Sequence, residues 1–341
     1  MEDRYIKKLV NNKYHIKAIY IEKIKNIYKI KSNNGDFCLK VLKYKLPETL
    51  FVISAINHLY NKGFMNTPKI IKTIDKKDFI SLGDYYGYLT PWIESRHCNY
   101  EDFKDVELAA FTLGEFHKKS TNFNWHKYIK PRYRIGGWIE NFSSKKEDII
   151  YFKNEIDKKE KFSYFDSLFR KIVDEELIRA DKSIYNLKRS DYLNKIQAER
   201  KKNQLCHHDY ANHNVLIDKN NCAHIIDFDY CILDIHLHDL CSLIIRVMKN
   251  GKWNIENSKK IMDSYSLNYS INKKDIKIMA AFMEFPQDFW QVGLQYYVEK
   301  QPWKEKIFIN KIEKIVMDRE QKQEFIDEFR YINYGIGGCY D

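Results

Sequence analysis

Apolar and polar residues follow strand-like patterns along much of the first ninety or so residues and then change to helical spacing for most of the remaining chain. Tyr14–Tyr20, Asn26–Lys31 and Asp36–Leu42 have strand-like patterns, and Asn33-Asn34-Gly35-Asp36 between the last two marks a tight hairpin. Phe51–Tyr60 sets Val52, Ala55, Ile56 and Leu59 at i, i+3, i+4 and i+7, the stripe of an amphipathic helix. Strand-like runs return at Lys69–Thr73, Asp78–Leu82 and Tyr85–Trp92. Pro91 ends the last of these, because proline cannot donate to a sheet ladder. From Lys104 the chain reads as helical, with Leu108, Phe111 and Phe116 on one broad apolar face. The stretch 145–203 has no Gly or Pro and dense mixed charge, and it reads as two long surface helices inserted ahead of the segment 205–217. After Asp227, Leu240, Leu243, Ile244 and Val247 again fall at helical spacing, and Pro286 and Pro302 punctuate later helices.

The pattern predicts an α+β fold of two lobes. A small β-rich lobe, an antiparallel sheet with one helix, covers residues 1–93, and a large helical lobe covers 94–341. A chain of 341 residues is too long for one compact core, in keeping with that division. Hydrophobic residues at 44% and aromatic residues at 15% give ample material for burial. No apolar run approaches the roughly 20 residues of a membrane span, and the N-terminal residues lack the apolar stretch of a signal peptide. Synthesis in the cytosol is the expectation. Seven scattered cysteines (Cys38, Cys98, Cys206, Cys222, Cys231, Cys241 and Cys339) include no C-x-x-C pair, which argues against a disulfide framework or a structural zinc site. The net charge of +11 leaves an acidic partner surface open. Lysines alternate with acids, however, as in Lys145-Lys146-Glu147-Asp148, and no basic block interleaves with aromatics, so no nucleic-acid partner is expected.

The chemistry concentrates in the segment 205–217, Leu205-Cys206-His207-His208-Asp209-Tyr210-Ala211-Asn212-His213-Asn214-Val215-Leu216-Ile217, and in Ile225-Ile226-Asp227 shortly after it. Phosphoryl transfer from a nucleotide needs a base at the attacking hydroxyl and oxygen ligands for the magnesium on the phosphates. Asp209 is the candidate base, His207 the brace within its loop, and Asn214 and Asp227 the candidate metal ligands. Lys40, within the apolar strand Phe37-Cys38-Leu39-Lys40-Val41, is the candidate phosphate ligand. Pro91, Trp92 and Ile93, where the small lobe ends, form an extended linker whose backbone groups are candidates to meet an adenine. ATP and magnesium are the implied cofactors.

Two parts of such a site are missing from the sequence. The first hairpin, Ile21–Ile27, has no glycine to bring backbone amides close to phosphates, and the only acid at the start of the following helix is Glu48. A different chemistry also has its residues here. His238-Asp239, with His207, His208, His213 and His236 nearby in sequence, has the look of a metal-dependent phosphohydrolase core, although Asp239 reads better as an acceptor for backbone amides of the loop. His208 has two readings, one pointing into the cleft and one packed beneath the loop.

At these residues the chain resembles the aminoglycoside phosphotransferase and choline kinase group of protein-kinase-like proteins, whose loop reads His-Gly-Asp followed four residues later by Asn. Here His208 stands at the glycine. The segments Leu205–Asp209, Tyr88–Glu94, Arg246-Val247-Met248-Lys249 and Phe285-Pro286-Gln287-Asp288-Phe289-Trp290 resemble more specifically the CotS family of spore coat proteins. The resemblance spans about Tyr14 to Phe329. It implies a bilobal kinase-like fold, an ATP and magnesium site, deposition in the spore coat and other coat proteins as partners. Two functions stand open: a phosphotransferase acting on a hydroxyl of a small molecule or coat component, and a catalytically impaired scaffold that keeps the fold for binding.

Overall fold

The computed structural model describes residues 3–334, so Cys339 lies outside the described residues. The chain opens with helix α1 (Asp3–Tyr14), which buries Ile6, Val10 and Tyr14, three apolar residues at intervals of four. The strand read at Tyr14–Tyr20 therefore starts late, as β1 (Ala18–Ile24), after His15 turns the chain at φ +52°. Strands β2 (Ile27–Ser32) and β3 (Gly35–Leu42) follow, turning at Asn33-Asn34 between the paired Ser32 and Gly35. Helix α2 (Leu46–Asn61) has Pro47 in its first turn, where a fixed φ is tolerated and no amide is needed. Lys69–Thr73 contributes one bridge, Ile71 to Leu89, and no strand. Strands β4 (Ile80–Leu82) and β5 (Tyr85–Pro91) complete an antiparallel sheet in the order β1-β2-β3-β5-β4. Ile30, Leu39 and Leu89 are fully buried at its centre, together with residues of α1.

Strand β6 (Ser95–His97) leads into α3 (Phe103–Lys119), capped by the Asp102 carboxylate on the Lys104 amide. Three helices come next: α4 (Trp138–Asp157), α5 (Tyr164–Arg189) and α6 (Tyr192–Glu199). The stretch read as two surface helices is thus part of three, and although Ile178 and Leu193 are exposed, one apolar face of these helices is buried. Ile149, Phe152, Ile156, Phe165 and Phe169 join Phe289, Val292 and Ile312 in a core of their own. Dense charge on the outward faces hides that stripe in the sequence. Strands β7 (Leu205–Cys206), β8 (Val215–Asp218), β9 (Ala223–Ile225) and β10 (Ile232–Leu233) are short; β7 pairs with β10, and β8 lies between β6 and β9. Helices α7 (Leu237–Met248), α8 (Ile255–Ser266), α9 (Lys273–Glu284) and α10 (Gln287–Gly293), a π-helical turn at Leu294–Val298, and α11 (Glu305–Phe329) end the described chain.

The chain forms two compact units. One contains the residues up to Tyr133 together with Lys202–Asp239; the other contains Arg134–Lys201 and the residues from Leu240. Every candidate site residue lies in the first. Among the described residues the cysteines are free, and no helix is long and apolar enough to cross a membrane.

Candidate active site

Short strand β7 delivers the chain into the loop 207–214, and the first residues of that loop are pinned from behind. The Asp239 carboxylate, buried at the start of α7, accepts the His207 amide at 2.5 Å on Oδ2 and the His208 amide at 2.9 Å on Oδ1. His117 and His238 also approach it, at 3.3 and 3.2 Å. Burial alone would raise the Asp239 pKa, but hydrogen bonds from His117 and then His238 outweigh it and hold the carboxyl well below the usual carboxylate range. Asp239 is therefore an acceptor for backbone amides of the loop. The His207 ring is fully enclosed, with Nε2 2.9 Å from the Ile226 carbonyl oxygen, so it ties the loop to the segment after β9.

Asp209 stands at the head of the loop, half-buried. Asn214 closes the loop from the other end: its Nδ2 donates to the Asp209 carbonyl at 2.9 Å and to Asp209 Oδ2 at 3.2 Å. The Ile226 amide donates to the Asn214 carbonyl at 3.0 Å, which sets Asn214 and Asp227 side by side along the backbone. Asp227 has φ +65°, in the left-handed region, and a 3₁₀ turn over Phe228–Tyr230 follows it.

From the sheet, Lys40 comes to meet this turn. Its Nζ is 2.8 Å from Asp227 Oδ2 and 3.2 Å from Asp229 Oδ2, with the lysine side chain only 6% exposed. Burial would lower the Lys40 pKa, yet the charges of Asp229 and Asp227 raise it. For Asp227, burial works upward and the Lys40 ammonium more than reverses it, so the carboxyl lies below its ordinary value. Asp229 is pushed up to about 6 by burial and then by the neighbouring Asp227 charge. The Asp227 Oδ1 and Asp229 Oδ1 atoms are both buried without a hydrogen-bond partner. A hard divalent cation takes oxygen ligands, and these orphaned carboxylate oxygens, with an Asn whose amide nitrogen is already committed, fit magnesium.

Pro91, Trp92 and Ile93 lie where β5 ends, three register positions along the ladder from Lys40: Lys40 faces Tyr88 and Phe37 faces Pro91. The Trp92 amide continues the ladder by donating to the Asp36 carbonyl at 2.9 Å, and Pro91 has no amide. Of the three, Ile93 is the residue whose amide the ladder leaves uncommitted. The Trp92 ring carries Lys29, whose Nζ is 4.3 Å from its centroid. Glu48, the acid at the start of α2, turns toward Lys130 at 3.4 Å. His208 is exposed, at φ +68°, with its ring stacked on His238 at 4.4 Å between centroids.

Residues 7–329 match the family described as Spore coat putative kinase YutH. The chain belongs to that family. Among curated relatives of this coat family, Spore coat protein S of Bacillus subtilis (strain 168) is 21% identical over 320 residues, covering 92% of this chain and 90% of that one. Among solved structures, the aminoglycoside phosphotransferase of Alicyclobacillus acidocaldarius superposes with a TM-score of 0.82 at 19% identity, covering 95% of each chain. The spectinomycin phosphotransferase APH(9)-Ia, solved with ADP and spectinomycin, gives 0.70 at 16% identity, over 97% of this chain and 99% of that one. The choline kinase LicA of Streptococcus pneumoniae gives 0.51 at 14%, over 96% and 99%. At these identities the likeness establishes the fold, and this spore coat family member has the α+β fold of kinase-like phosphotransferases.

The sequence reading did not single out three residues that shape the site. Asp229 was legible in part, as the second acid of Asp227-Phe228-Asp229. Arg132 and Tyr44 carried no signal. Arg132 Nη1 and the Tyr44 hydroxyl, the latter at 3.3 Å, both donate to the Asp229 carbonyl, and the guanidinium lies over the Tyr44 ring at 4.7 Å.

Proposed function

We propose that this coat-family protein is an ATP- and magnesium-dependent phosphotransferase that acts on a hydroxyl of a small molecule or coat component and is deposited in the spore coat. The observation that carries the reading is the buried Lys40–Asp227 pair at 2.8 Å. Taking two charges out of water costs several kcal/mol per ion, and their attraction often only breaks even with that, so such a pair is poor as mere scaffolding. It makes sense where a ligand of opposite charge is to arrive. The known relatives support the nucleotide: spectinomycin phosphotransferase was solved with ADP and with AMP.

In this reading Lys40 neutralises phosphate oxygens of ATP, and the Ile93 amide and Pro91 carbonyl meet the adenine. Asn214 and Asp227 would hold magnesium, which supplies charge neutralisation on the phosphates. Asp209 takes the proton of the acceptor hydroxyl as that oxygen bonds to the γ-phosphorus. The bond from the γ-phosphorus to its bridging oxygen breaks, and ADP leaves.

The scaffold reading has one observation in its favour. The hairpin between β1 and β2 turns through Lys25-Asn26 with no glycine, so it lacks the backbone that closes over phosphates in protein kinases. Thermal melts with ATP, with and without magnesium, decide between the two. Binding at a hundredfold excess over Kd adds about 2.7 kcal/mol of stability. A magnesium-dependent rise in Tm followed by ADP release with a hydroxyl-bearing acceptor supports the phosphotransferase. An unmoved Tm at millimolar ATP leaves the scaffold.

A further inference from the structure

We infer that Asp229 is the positioning residue that holds Lys40 for the phosphates, in the role an acid from helix α2 would otherwise fill. The inference rests on reading Lys40 as the phosphate ligand. A lysine side chain has roughly 2 kcal/mol of rotamer entropy, so an ammonium that must meet a phosphate needs a fixed partner. Misplacement by about 1 Å costs on the order of a hundredfold in rate.

Helix α2 has no partner to give. Its one acid, Glu48, sits in the first turn and is turned to Lys130 at 3.4 Å, while the buried face of the helix is Phe51, Val52, Ala55, Ile56 and Leu59 with Thr49 and Ile53. Asp227 cannot do the work alone, because it is also the metal ligand and its charge is then shared. Asp229 is two residues on, and the backbone is shaped to bring it back to the same ammonium. The left-handed φ of +65° at Asp227 and the 3₁₀ turn after it fold the chain, and Phe228 between the two acids is buried against His207 at 5.2 Å between ring centroids. The Asp229 carbonyl is then fixed by two donors, Arg132 Nη1 and the Tyr44 hydroxyl. Tyr44 lies between β3 and α2, so the strand that carries Lys40 and the turn that carries Asp229 are joined twice, once through side chains and once through this clamp. The Asp229 side chain is only 13% exposed against 33% for Asp227, so the more accessible acid is left to the metal and the enclosed one to the lysine.

The test has an arm that needs no nucleotide. With isotope-labelled lysine, the Lys40 ammonium, assigned by its loss in Lys40→Arg, is followed by NMR through proton exchange with water. The clasped ammonium exchanges slowly. Asp229→Asn is expected to speed exchange about tenfold or more, and Glu48→Gln to leave it unchanged. Unchanged exchange in folded Asp229→Asn, whatever Glu48→Gln does, overturns the inference. Should Asp229→Asn fail to fold, Asp229→Glu decides: exchange faster than wild type supports the assignment, and unchanged exchange overturns it. With ATP, Asp229→Asn is expected to raise KM about tenfold, and Asp229→Glu to recover part of the loss. An unchanged KM in folded Asp229→Asn overturns the role. A wild-type protein that binds no ATP removes the phosphotransferase reading, while the exchange arm still reports which acid holds Lys40.

Discussion

Asn214 holds Asp209 across five residues of their shared loop, donating through one amide nitrogen to the aspartate carbonyl at 2.9 Å and to its carboxylate at 3.2 Å. The contact fixes the direction in which the carboxylate faces and leaves the Asn214 side-chain oxygen for another ligand. The candidate base and one candidate metal ligand are thus set by one hydrogen-bonded unit, while Asp227 is set by Lys40.

That separation gives the first prediction. Asp209→Asn keeps the loop and removes the base, so kcat falls by about 10²–10⁴ with the affinity for magnesium–ATP within about twofold. Asp227→Ala removes a ligand that acts in the bound ground state, and affinity itself falls by about tenfold or more. Calorimetric titration and ADP release, run on both variants, check the pair. Equal affinity in wild type and Asp227→Ala contradicts the metal role.

His208 has its ring exposed and stacked on His238 and its backbone at φ +68°, so neither packing beneath the loop nor ordinary backbone geometry describes it. A side chain with a Cβ pays roughly 1–2 kcal/mol in that region, and glycine does not. His208→Ala should therefore be less stable than His208→Gly by about 1 kcal/mol, measured by urea unfolding. With the imidazole gone, His208→Gly is expected to broaden the acceptor range, read from ADP release across a panel of hydroxyl compounds.

Asp239 predicts a pH dependence. Its folded pKa is held well below the unfolded value, so its contribution is fully present above the unfolded value and is lost as pH falls toward the folded one. Asp239→Asn should lower unfolding free energy by about 2–3 kcal/mol, the scale for losing charge-assisted hydrogen bonds in a buried site. The difference from wild type should shrink as pH falls below about 4. Urea midpoints across that range check it; a difference that grows on acidification contradicts the assignment.

In the second unit, a Cβ added at Gly293 would lie 2.6 and 2.8 Å from two ring carbons of Phe152 and 3.1 Å from Phe169. Gly293→Ala is overpacking against two enclosed aromatic rings and should cost about 1–3 kcal/mol. Differential scanning calorimetry should show the loss while the affinity for ATP stays unchanged.

Much of the site could be read from the sequence because its parts are local. Asp209, Asn214 and Asp227 sit at fixed offsets on short elements, and Lys40 is a charge in an apolar strand. The α+β class followed from a change in period near Pro91. What was not legible depends on partners distant in the chain. Helix α1 shows only a thin stripe of Ile6, Val10 and Tyr14, too sparse to stand out before packing completes it. The burial of α4 and α5 depends on Phe289 and Val292, far downstream. Arg132 and Tyr44 become meaningful only once both reach the Asp229 carbonyl, and the tie of Glu48 to Lys130 depends on a loop more than eighty residues later.

The first compact unit is assembled from two pieces of chain, and its last residue is Asp239, the acceptor that pins the loop 207–214. On the ribosome, the five-stranded sheet emerges first and three helices of the other unit follow before β7 is even made. Closing so long a loop is entropically inexpensive at equilibrium but slow, since distant contacts must form before they are rewarded. The nascent sheet must therefore wait, with Lys40 uncompensated, until Asp227 and Asp229 have been translated. A chain cut short before Asp227 would have the strand of Lys40 and neither acid that meets it, and one cut just before Asp239 would lack the acceptor of the His207 and His208 amides.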